Sequence, residues 1–472
     1  MKVCVLLPDY STSTVDYQNY DPPRDLSNLL PNDLVETVFL NKLSCYKQLK
    51  DLSKKGFDIF VNLCEGYLEW NVPSIDVIYT LELLNLPYTG PNLQLYDPSK
   101  ELMKYVAYCA NVKTPAYQII TSKKDLSQIQ LQFPLFVKPA KAGDSLGIDK
   151  NALVKNIDEL QKQVEVLLID YDEILVEEYI AGREFTVMVL ANKDGKTCKA
   201  LEPVEYIFPE DYTFKTYSLK TSELHTEANI PIKDVFLSST LKKYSENIFT
   251  AFNGVGYARL DFRMNEKIEL FFLEINFTCS VFYTDGYEGS ADYILKYDGI
   301  GQQQFLQHII EEGITRYNKK QLPFIMKGNA IAGYGIYATK NIEEGEIIFK
   351  GEEKAQRIVT KKYVEENWTE KDKEDFARYA YPISNNVFVL WDEDAKNWAP
   401  QNHSCNANTA YLGLNVVALN SIQIGEELTL DYASFLNEEA QSFTCSCKSK
   451  NCRGIISGAS ENSIENRLMS KI

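Results

Sequence analysis

Apolar residues fall in short dense runs through the first two thirds of the chain, separated by polar stretches with helical spacing. Residues 3–7 and 57–63 are such runs, and each predicts a buried parallel strand. Helical patterns lie between them, and a helix over about 73–84 followed by Leu86-Pro87-Tyr88-Thr89-Gly90 closes this first unit. Residues 100–110 predict a helix, and residues 112–118 lead into a second unit. There, 133–139 reads as a strand ended by Pro139, 174–180 as another strand, and Asp158 as the N-cap of a helix to about 168. Ser238 or Ser239 opens a helix with Leu241, Tyr244, Ile248 and Phe252 on one face, and Gly254 ends it. Two strand runs, 256–264 and 268–276, are joined by the turn Asn265-Glu266-Lys267. A helix near 301–312 leads through Glu311-Glu312-Gly313 into a linker at 313–322. From 323 onward the pattern changes to short strands with frequent glycines.

A length of 472 residues with 45% hydrophobic content suits roughly two to four domains with sizeable cores. The net charge of −17 argues against general affinity for nucleic acid or an anionic membrane, which need clustered Lys and Arg. Met1 to Pro8 reads as a first strand and not as a signal peptide. No apolar stretch approaches the ~18–20 residues that span a bilayer. Cys4, Cys45, Cys64, Cys109, Cys198 and Cys279 have no framework spacing, as expected of reduced thiols in a soluble cytoplasmic protein. The other four differ. Cys445, Cys447 and Cys452 are spaced C-x-C-x4-C, and Cys405 lies upstream in Asn402-His403-Ser404-Cys405, a tetrahedral S4 set suited to structural Zn2+.

The predicted hairpin carries a second candidate centre. Arg259 and Asp261 are two apart on one strand, and Glu274 and Asn276 two apart on the next, so each pair shares a face. Three oxygen ligands on one face suit Mg2+ when nucleotide phosphates complete its shell, and an arginine beside them can stabilise developing oxyanion charge. Exposed charges on an open sheet face would give the same pattern. Lys138 ends a strand before Pro139, and the loop Gly143-Asp144-Ser145-Leu146-Gly147 follows, whose amides can cradle phosphate although no Gly-Lys-Ser/Thr makes it a P-loop. With Glu177, Glu178 and Gly182-Arg183-Glu184-Phe185-Thr186, this order resembles the ATP-grasp enzymes, most closely those of the D-alanine–D-alanine ligase type, over residues 1–312.

The resemblance implies a pre-ATP-grasp α/β unit at 1–92 and an ATP-grasp domain of two α+β subdomains at 93–312. It implies that Lys104 and Lys138 contact ATP phosphates, Glu177, Glu178 and nearby backbone meet adenine, and Glu184 meets the ribose. It further implies that Asp261, Glu274 and Asn276 hold Mg2+, that Arg259 steadies the acyl-phosphate and tetrahedral intermediate, and that Lys220 is the mobile-loop lysine. The reaction implied joins a carboxylate to an amine. Three departures stand out: Asp144 replaces a phosphate-loop serine, Asn62-Leu63-Cys64-Glu65-Gly66 is a reduced His-Gly-x-x-Gly-Glu-Asp-Gly signature, and Phe277-Thr278-Cys279-Ser280 replaces a Pro-Gly turn. Two of these fall in the amino-acid half, which points to a different acid or amine. Ligases of this type often form homodimers; the chain itself does not disclose its oligomeric state.

The C-terminal third resembles a different family. Gly333-Tyr334-Gly335, then Asn402-His403-Ser404-Cys405, Glu427-Leu428-Thr429-Leu430-Asp431-Tyr432 and the final cysteines with Arg453-Gly454 are similar in order to the SET-domain protein lysine methyltransferases and their post-SET zinc motif. The resemblance implies a mainly β SET domain at 323–436, a zinc-bound post-SET segment at 437–458 and a tail at 459–472. Gly333, Gly335, Asn402 and His403 would bind S-adenosylmethionine, Tyr432 would orient the amine, and Cys405, Cys445, Cys447 and Cys452 would hold zinc. Leu430 and Phe349 stand where ring or hydroxyl-bearing residues are common. The combined reading is a multidomain α+β enzyme using ATP, Mg2+, S-adenosylmethionine and Zn2+, acting on a small carboxylate and amine and on a lysine-bearing protein. Its alternative keeps the ligase and makes the SET-like part a module that only binds a lysine-containing partner.

Overall fold

The computed structural model describes residues 1–458 apart from 12–20, 67–71, 142–146, 211, 216–227, 285, 331, 355–356, 385, 391–397, 437–439 and 441. It divides into two compact units, Met1–Lys319 and Lys320–Ile472. No helix among the described residues is long and apolar enough to cross a membrane.

The first unit holds three sheets. β1 (Lys2–Pro8), β2 (Leu34–Leu40) and β3 (Ile59–Asn62) form a parallel sheet in the order β2-β1-β3. The two predicted apolar runs are its buried strands. β2 was not legible, because as an edge strand it buries little and alternates irregularly. β4 (Tyr117–Ile120), β5 (Leu135–Pro139), β6 (Leu153–Val154) and β7 (Ile174–Glu178) form an antiparallel sheet, β4-β7-β5-β6, covered by the helix Ile157–Leu167. β8 (Arg183–Ala191), β9 (Cys198–Ala200), β10 (Val204–Tyr206), β11 (Asn229–Pro231), β12 (Tyr257–Met264) and β13 (Leu270–Asn276) make the largest sheet. One face of it packs on the helices Lys100–Cys109 and Val235–Ala251 around Phe185, Leu260, Phe262 and Phe272.

Three local expectations are corrected. The helix after β6 is capped by Asn156, whose side chain accepts from the Glu159 N–H at 3.0 Å, and Asp158 lies in its first turn. The helix expected from Ser238 starts at Val235 behind an Asp234 cap; Val235 and Phe236 are exposed, which hid its first turn from the periodicity. At its end Asn253 takes the left-handed conformation, and Gly254 is needed because a Cβ there would lie 2.5 Å from the Phe249 ring. The linker expected at 313–322 is largely helix, since Gly301–Lys320 is continuous. Gly313 does not break it: a Cβ there would meet the Tyr88 carbonyl oxygen at 2.6 Å, so the glycine permits close packing, and neighbouring Glu312 is buried with Arg316 at 3.1 Å.

The second unit is built on short strands. β14 (Phe324–Asn329), β15 (Gly333–Ala338), β16 (Ile347–Phe349), β20 (Asn402–His403), β21 (Thr409–Leu412), β22 (Asn415–Ala418) and β23 (Glu427–Leu430) form a seven-stranded sheet. β17 (Arg357–Thr360), β18 (Tyr381–Pro382) and β19 (Val387–Leu390) form a small second sheet, and β24 (Phe443–Thr444) pairs with β25 (Ile455–Ile456). β20 runs parallel to β23, with Asn402 opposite Thr429 and His403 opposite Leu430. Two segments twenty-odd residues apart in sequence are thereby laid side by side.

Candidate active sites in the two units

In the first unit the register of β12 and β13 places Arg259 opposite Asn276 and Asp261 opposite Glu274. All four side chains therefore leave one face of the hairpin. A β-bulge follows: Phe262 pairs with Phe272, so Leu273 is an extra residue on β13. Asp261 accepts from the Thr186 hydroxyl at 2.8 Å and lies 3.7 Å from Arg259, while Asn276 Nδ2 reaches Glu274 Oε1 at 3.5 Å. Two carboxylates and an amide oxygen within one short stretch are a hard-oxygen set that fits Mg2+.

Asp261 and Glu274 line a cleft. Lys138, Glu177, Glu178 and Glu184, all singled out from sequence, line it as well. Glu177 is 3% exposed, with Lys138 Nζ 2.5 Å from one oxygen. Lys104 Nζ is 2.6 Å from the other, a close ion contact whose angle falls outside hydrogen-bond geometry. Burial would raise the Glu177 carboxyl, but the two ammonium groups outweigh it and hold it down at about 2. Burial depresses Lys104, whereas Lys138, also buried, is raised by Glu177 and Glu274.

The Glu177 carboxylate pairs with both lysines, and Lys104 is buried beside it; Lys100, one helical turn earlier, lines the cleft. Their i, i+4 spacing made both visible as one helix face. Glu178 lines the cleft and accepts from the Gln132 N–H at 3.1 Å. The Glu184 oxygens are likewise taken, one by Lys215 at 2.9 Å and the other by Arg263 at 3.1 Å.

Sequence reasoning missed the cleft's aromatic wall. Phe136 stacks on Tyr179 with centroids 6.2 Å apart, and Phe214 meets Phe136 edge-on at 5.0 Å. One signal was available, since Phe136 stands two before Lys138 and shares its face. Such a flat apolar wall beside buried cations suits a purine base joined to phosphates. Residues 143–146 of the glycine-containing loop and Lys220 lie outside the described residues.

The family model for the D-ala D-ala ligase C-terminus matches residues 106–311. The D-alanine–D-alanine ligase of Enterococcus hirae is 31% identical over 255 residues, covering 51% of this chain and 67% of that protein. The chain belongs to the D-alanine–D-alanine ligase family. The Bordetella petrii D-alanine–D-alanine ligase is 30% identical over 238 residues, covering 49% of this chain and 69% of that one. In fold, the chain is similar to the Coxiella burnetii D-alanine–D-alanine ligase, with a TM-score of 0.50 at 20% identity over 68% of this chain and 96% of that one. Residues 333–433 match the SET domain, so the ligase unit is followed by a SET unit.

In that SET unit the sulfurs of Cys405, Cys445, Cys447 and Cys452 all lie within 4.8 Å of one another, and those of Cys405 and Cys445 are 3.8 Å apart. A tetrahedral Zn2+ with sulfurs at about 2.3 Å has S···S edges of about 3.8 Å, so the four thiols fit zinc. His403 joins this cluster to the SET sheet. Its Nδ1 accepts from the Tyr432 N–H at 3.1 Å, its Nε2 lies 3.4 Å from Cys405 Sγ, and its ring packs between Tyr432 and Phe443. Asn402 Nδ2 donates to the Tyr334 carbonyl and to Glu427, both at 2.8 Å. The Nδ2 of Asn402 and the Nδ1 of His403 are thus engaged with protein partners.

The two glycines of the Gly-x-Gly serve different ends. Gly333 has φ +84°, and Gly335 makes room for Glu427, since a Cβ there would lie 2.3 Å from its Oε1. Tyr432 donates its hydroxyl proton to the Gln401 carbonyl at 2.6 Å. Beside it stand Phe435, Tyr411 and Tyr381, with neighbouring ring centroids 4.6–5.7 Å apart, none of which the sequence had singled out. Phe349 is packed in the sheet's core at 5% exposure, so the hydroxyl it lacks would have been buried there.

Proposed function

We propose that the chain is a two-headed enzyme, an ATP- and Mg2+-dependent carboxylate–amine ligase joined to an S-adenosylmethionine-dependent protein lysine methyltransferase. The observation that carries the ligase half is the hairpin face: Arg259, Asp261, Glu274 and Asn276 leave it together, and Asp261 and Glu274 line a cleft that Phe136, Tyr179 and Phe214 also line. Asp261, Glu274 and Asn276 would hold Mg2+, which when bound neutralises phosphate charge. Lys138 and Lys100 face the phosphates, and Glu177 fixes Lys138. The acid's carboxylate oxygen attacks the γ-phosphorus, ADP leaves, the amine attacks the acyl carbon, and phosphate departs as the amide forms. Arg259 stands where negative charge collects on the acyl oxygen.

For the SET half, the support is Tyr432 beside three further rings. Its hydroxyl donates to the Gln401 carbonyl, which fixes where its oxygen stands, and that oxygen would aim the lysine amine. The neutral amine takes the methyl carbon, the C–S bond breaks, and the amine proton passes to solvent. The aromatic surface accepts the lysine stem and the methylammonium product. The four cysteines would hold Zn2+, whose part is to fix the last segment onto the sheet.

Two assays test this. The protein with ATP, Mg2+ and mixed amino acids should release ADP and phosphate, and Glu274→Ala should stop it. With labelled S-adenosylmethionine and basic proteins it should transfer label, and Tyr432→Phe should lower the rate. Turnover of ATP without any transfer of label would leave the SET unit as a module that binds a lysine-bearing partner.

A further inference from the structure

Tyr432 is fixed through its backbone as well as through its hydroxyl. Its N–H donates to His403 Nδ1 at 3.1 Å, and the residue before it, Asp431, pairs with the Arg453 guanidinium. Both holds lead to one sulfur. His403 Nε2 lies 3.4 Å from Cys405 Sγ, and the Arg453 N–H donates to the same Sγ at 3.4 Å. Two separate bridges thus run from Cys405 to the Asp431–Tyr432 pair, one through an imidazole ring and one through an arginine.

The first bridge has a fixed direction. Nδ1 accepts a backbone N–H, so it carries no proton, and the ring proton is on Nε2, facing Cys405. Asp431 stands 3.8 Å from Nδ1, beyond hydrogen-bond reach. The ring is 5% exposed and packed between Tyr432 and Phe443, at centroid distances of 5.4 and 5.6 Å. The sheet sets this up: β20 lies parallel to β23, and the Ser404 N–H donates to the Leu430 carbonyl at 2.9 Å, which brings Tyr432 over the ring. The second bridge depends on the C-terminal arm. There the Cys445 N–H donates to the Gly454 carbonyl at 2.7 Å, next to the β24–β25 pair, and Arg453 stands across from Asp431. Asp431 in turn accepts from the Ala433 N–H at 3.1 Å and caps the turn that begins at Tyr432. A thiolate on a metal keeps residual charge, and N–H donors at that sulfur stabilise it and fix its orientation.

We propose that His403 and Arg453 are positioning residues that carry the geometry of the four-thiolate centre to Tyr432. His403 acts as the Nε2–H donor to Cys405, and Arg453 links the same sulfur to Asp431. The proposal rests on the zinc and methyl-transfer readings of this unit given above.

The test uses the full-length protein loaded with Zn2+ or with NMR-active Cd2+, as wild type, His403→Phe, His403→Gln, Arg453→Met and Arg453→Lys. In the cadmium form, the His403 Nε2 proton should show a scalar coupling to the metal, which an N–H···S bond transmits. His403→Phe keeps a packed ring and loses the donor, so competition with a chelator should find zinc held about ten- to a hundredfold more weakly. His403→Gln should recover part of that loss through its amide N–H. Arg453→Met keeps its backbone N–H on Cys405, so its zinc affinity should stay within about twofold. Its methyl transfer from labelled S-adenosylmethionine to a mixture of basic proteins should fall up to about fivefold, the worth of a partly exposed ion pair, and Arg453→Lys should restore it. Stripping zinc from the wild type should speed exchange of the Tyr432 N–H about tenfold, and in His403→Phe should change it little, since one residue then no longer acts through the other. The wild-type coupling decides the first bridge even where His403→Phe does not fold. Absence of that coupling, Tyr432 exchange indifferent to zinc, or a wild type that takes up neither metal overturns the proposal. A wild type that shows both the coupling and the zinc-dependent exchange, yet transfers no label, supports the bridges and overturns the methyl-transfer reading alone.

Discussion

Glu177→Gln removes one charge and leaves two buried lysines behind. Lys104 and Lys138 have side chains 1% and 7% exposed, so water cannot replace the carboxylate. Two routes give the cost. The fall of the Glu177 carboxyl from its usual 4.5 to about 2 corresponds to about 3 kcal/mol of stability at neutral pH. In the variant Lys104, which burial already disfavours, can escape by shedding its proton, and neutralising a lysine at pH 7 costs about 5 kcal/mol, which sets the ceiling. The range of about 3–5 kcal/mol is that of a broken buried pair. The pH dependence has a definite sign. A depressed carboxyl stabilises the fold above its unfolded value and loses that contribution as pH falls from about 4.5 through about 2, so the gap between wild type and variant closes in acid. Hydrogen exchange of the Ile174–Glu178 peptide reads this locally, which matters in a chain of two units. At pH 7 it should exchange roughly a hundred- to several thousandfold faster in the variant. An acceleration under about tenfold, or one that persists undiminished at pH 3, would show that the carboxylate does not hold these lysines.

Three further outcomes follow from other parts of the molecule. Purified protein should carry about one Zn2+ per chain, and Cys405→Ser or Cys452→Ser should lower that content while ATP binding is kept; metal content by atomic absorption decides it. Gly335→Ala should destabilise the SET unit by about 1–3 kcal/mol through overpacking against Glu427, whereas Gly328→Ala, with nothing within 4 Å, should cost far less; chemical unfolding of the two variants makes the comparison. Burial raises the Asp292 carboxyl to about 6, so its stabilising part is full below its usual 3.8 and is lost as pH rises through about 6. Exchange of the Ser290–Asp298 helix, corrected for intrinsic rates, should therefore be about tenfold slower at pH 5 than at pH 7.

The buried strands and the hairpin were legible because each rests on a local rule. β1 and β3 are dense apolar runs, and the spacing of Arg259, Asp261, Glu274 and Asn276 fixes a face once the register is even. The bulge at Leu273 was not legible, since an extra residue in a ladder leaves no trace in alternation. Gly313 misled for a related reason. In sequence a glycine after two glutamates reads as a helix end, while in three dimensions it answers to the Tyr88 carbonyl, more than two hundred residues away.

Charge was the least legible property. Glu177, Glu184, Asn402 and His403 were each expected to meet a ligand, and each also makes contacts to protein partners that the sequence did not show. A sequence shows that an acidic or polar residue stands near a site, but not what else stands there with it. Burial decides between the two uses. A carboxylate 3–5% exposed must be paired, so cations come to it first, and they are what remains to face the substrate. Lys100, Lys138 and Lys215 line the ligase cleft, and Glu177 and Glu184 help to keep Lys138 and Lys215 charged away from bulk water. By the same reasoning the exceptions are informative. Glu274 and Asn276 are half-buried on the hairpin face that they share with Asp261, so the oxygen donors proposed to hold Mg2+ stand where a ligand can still reach them.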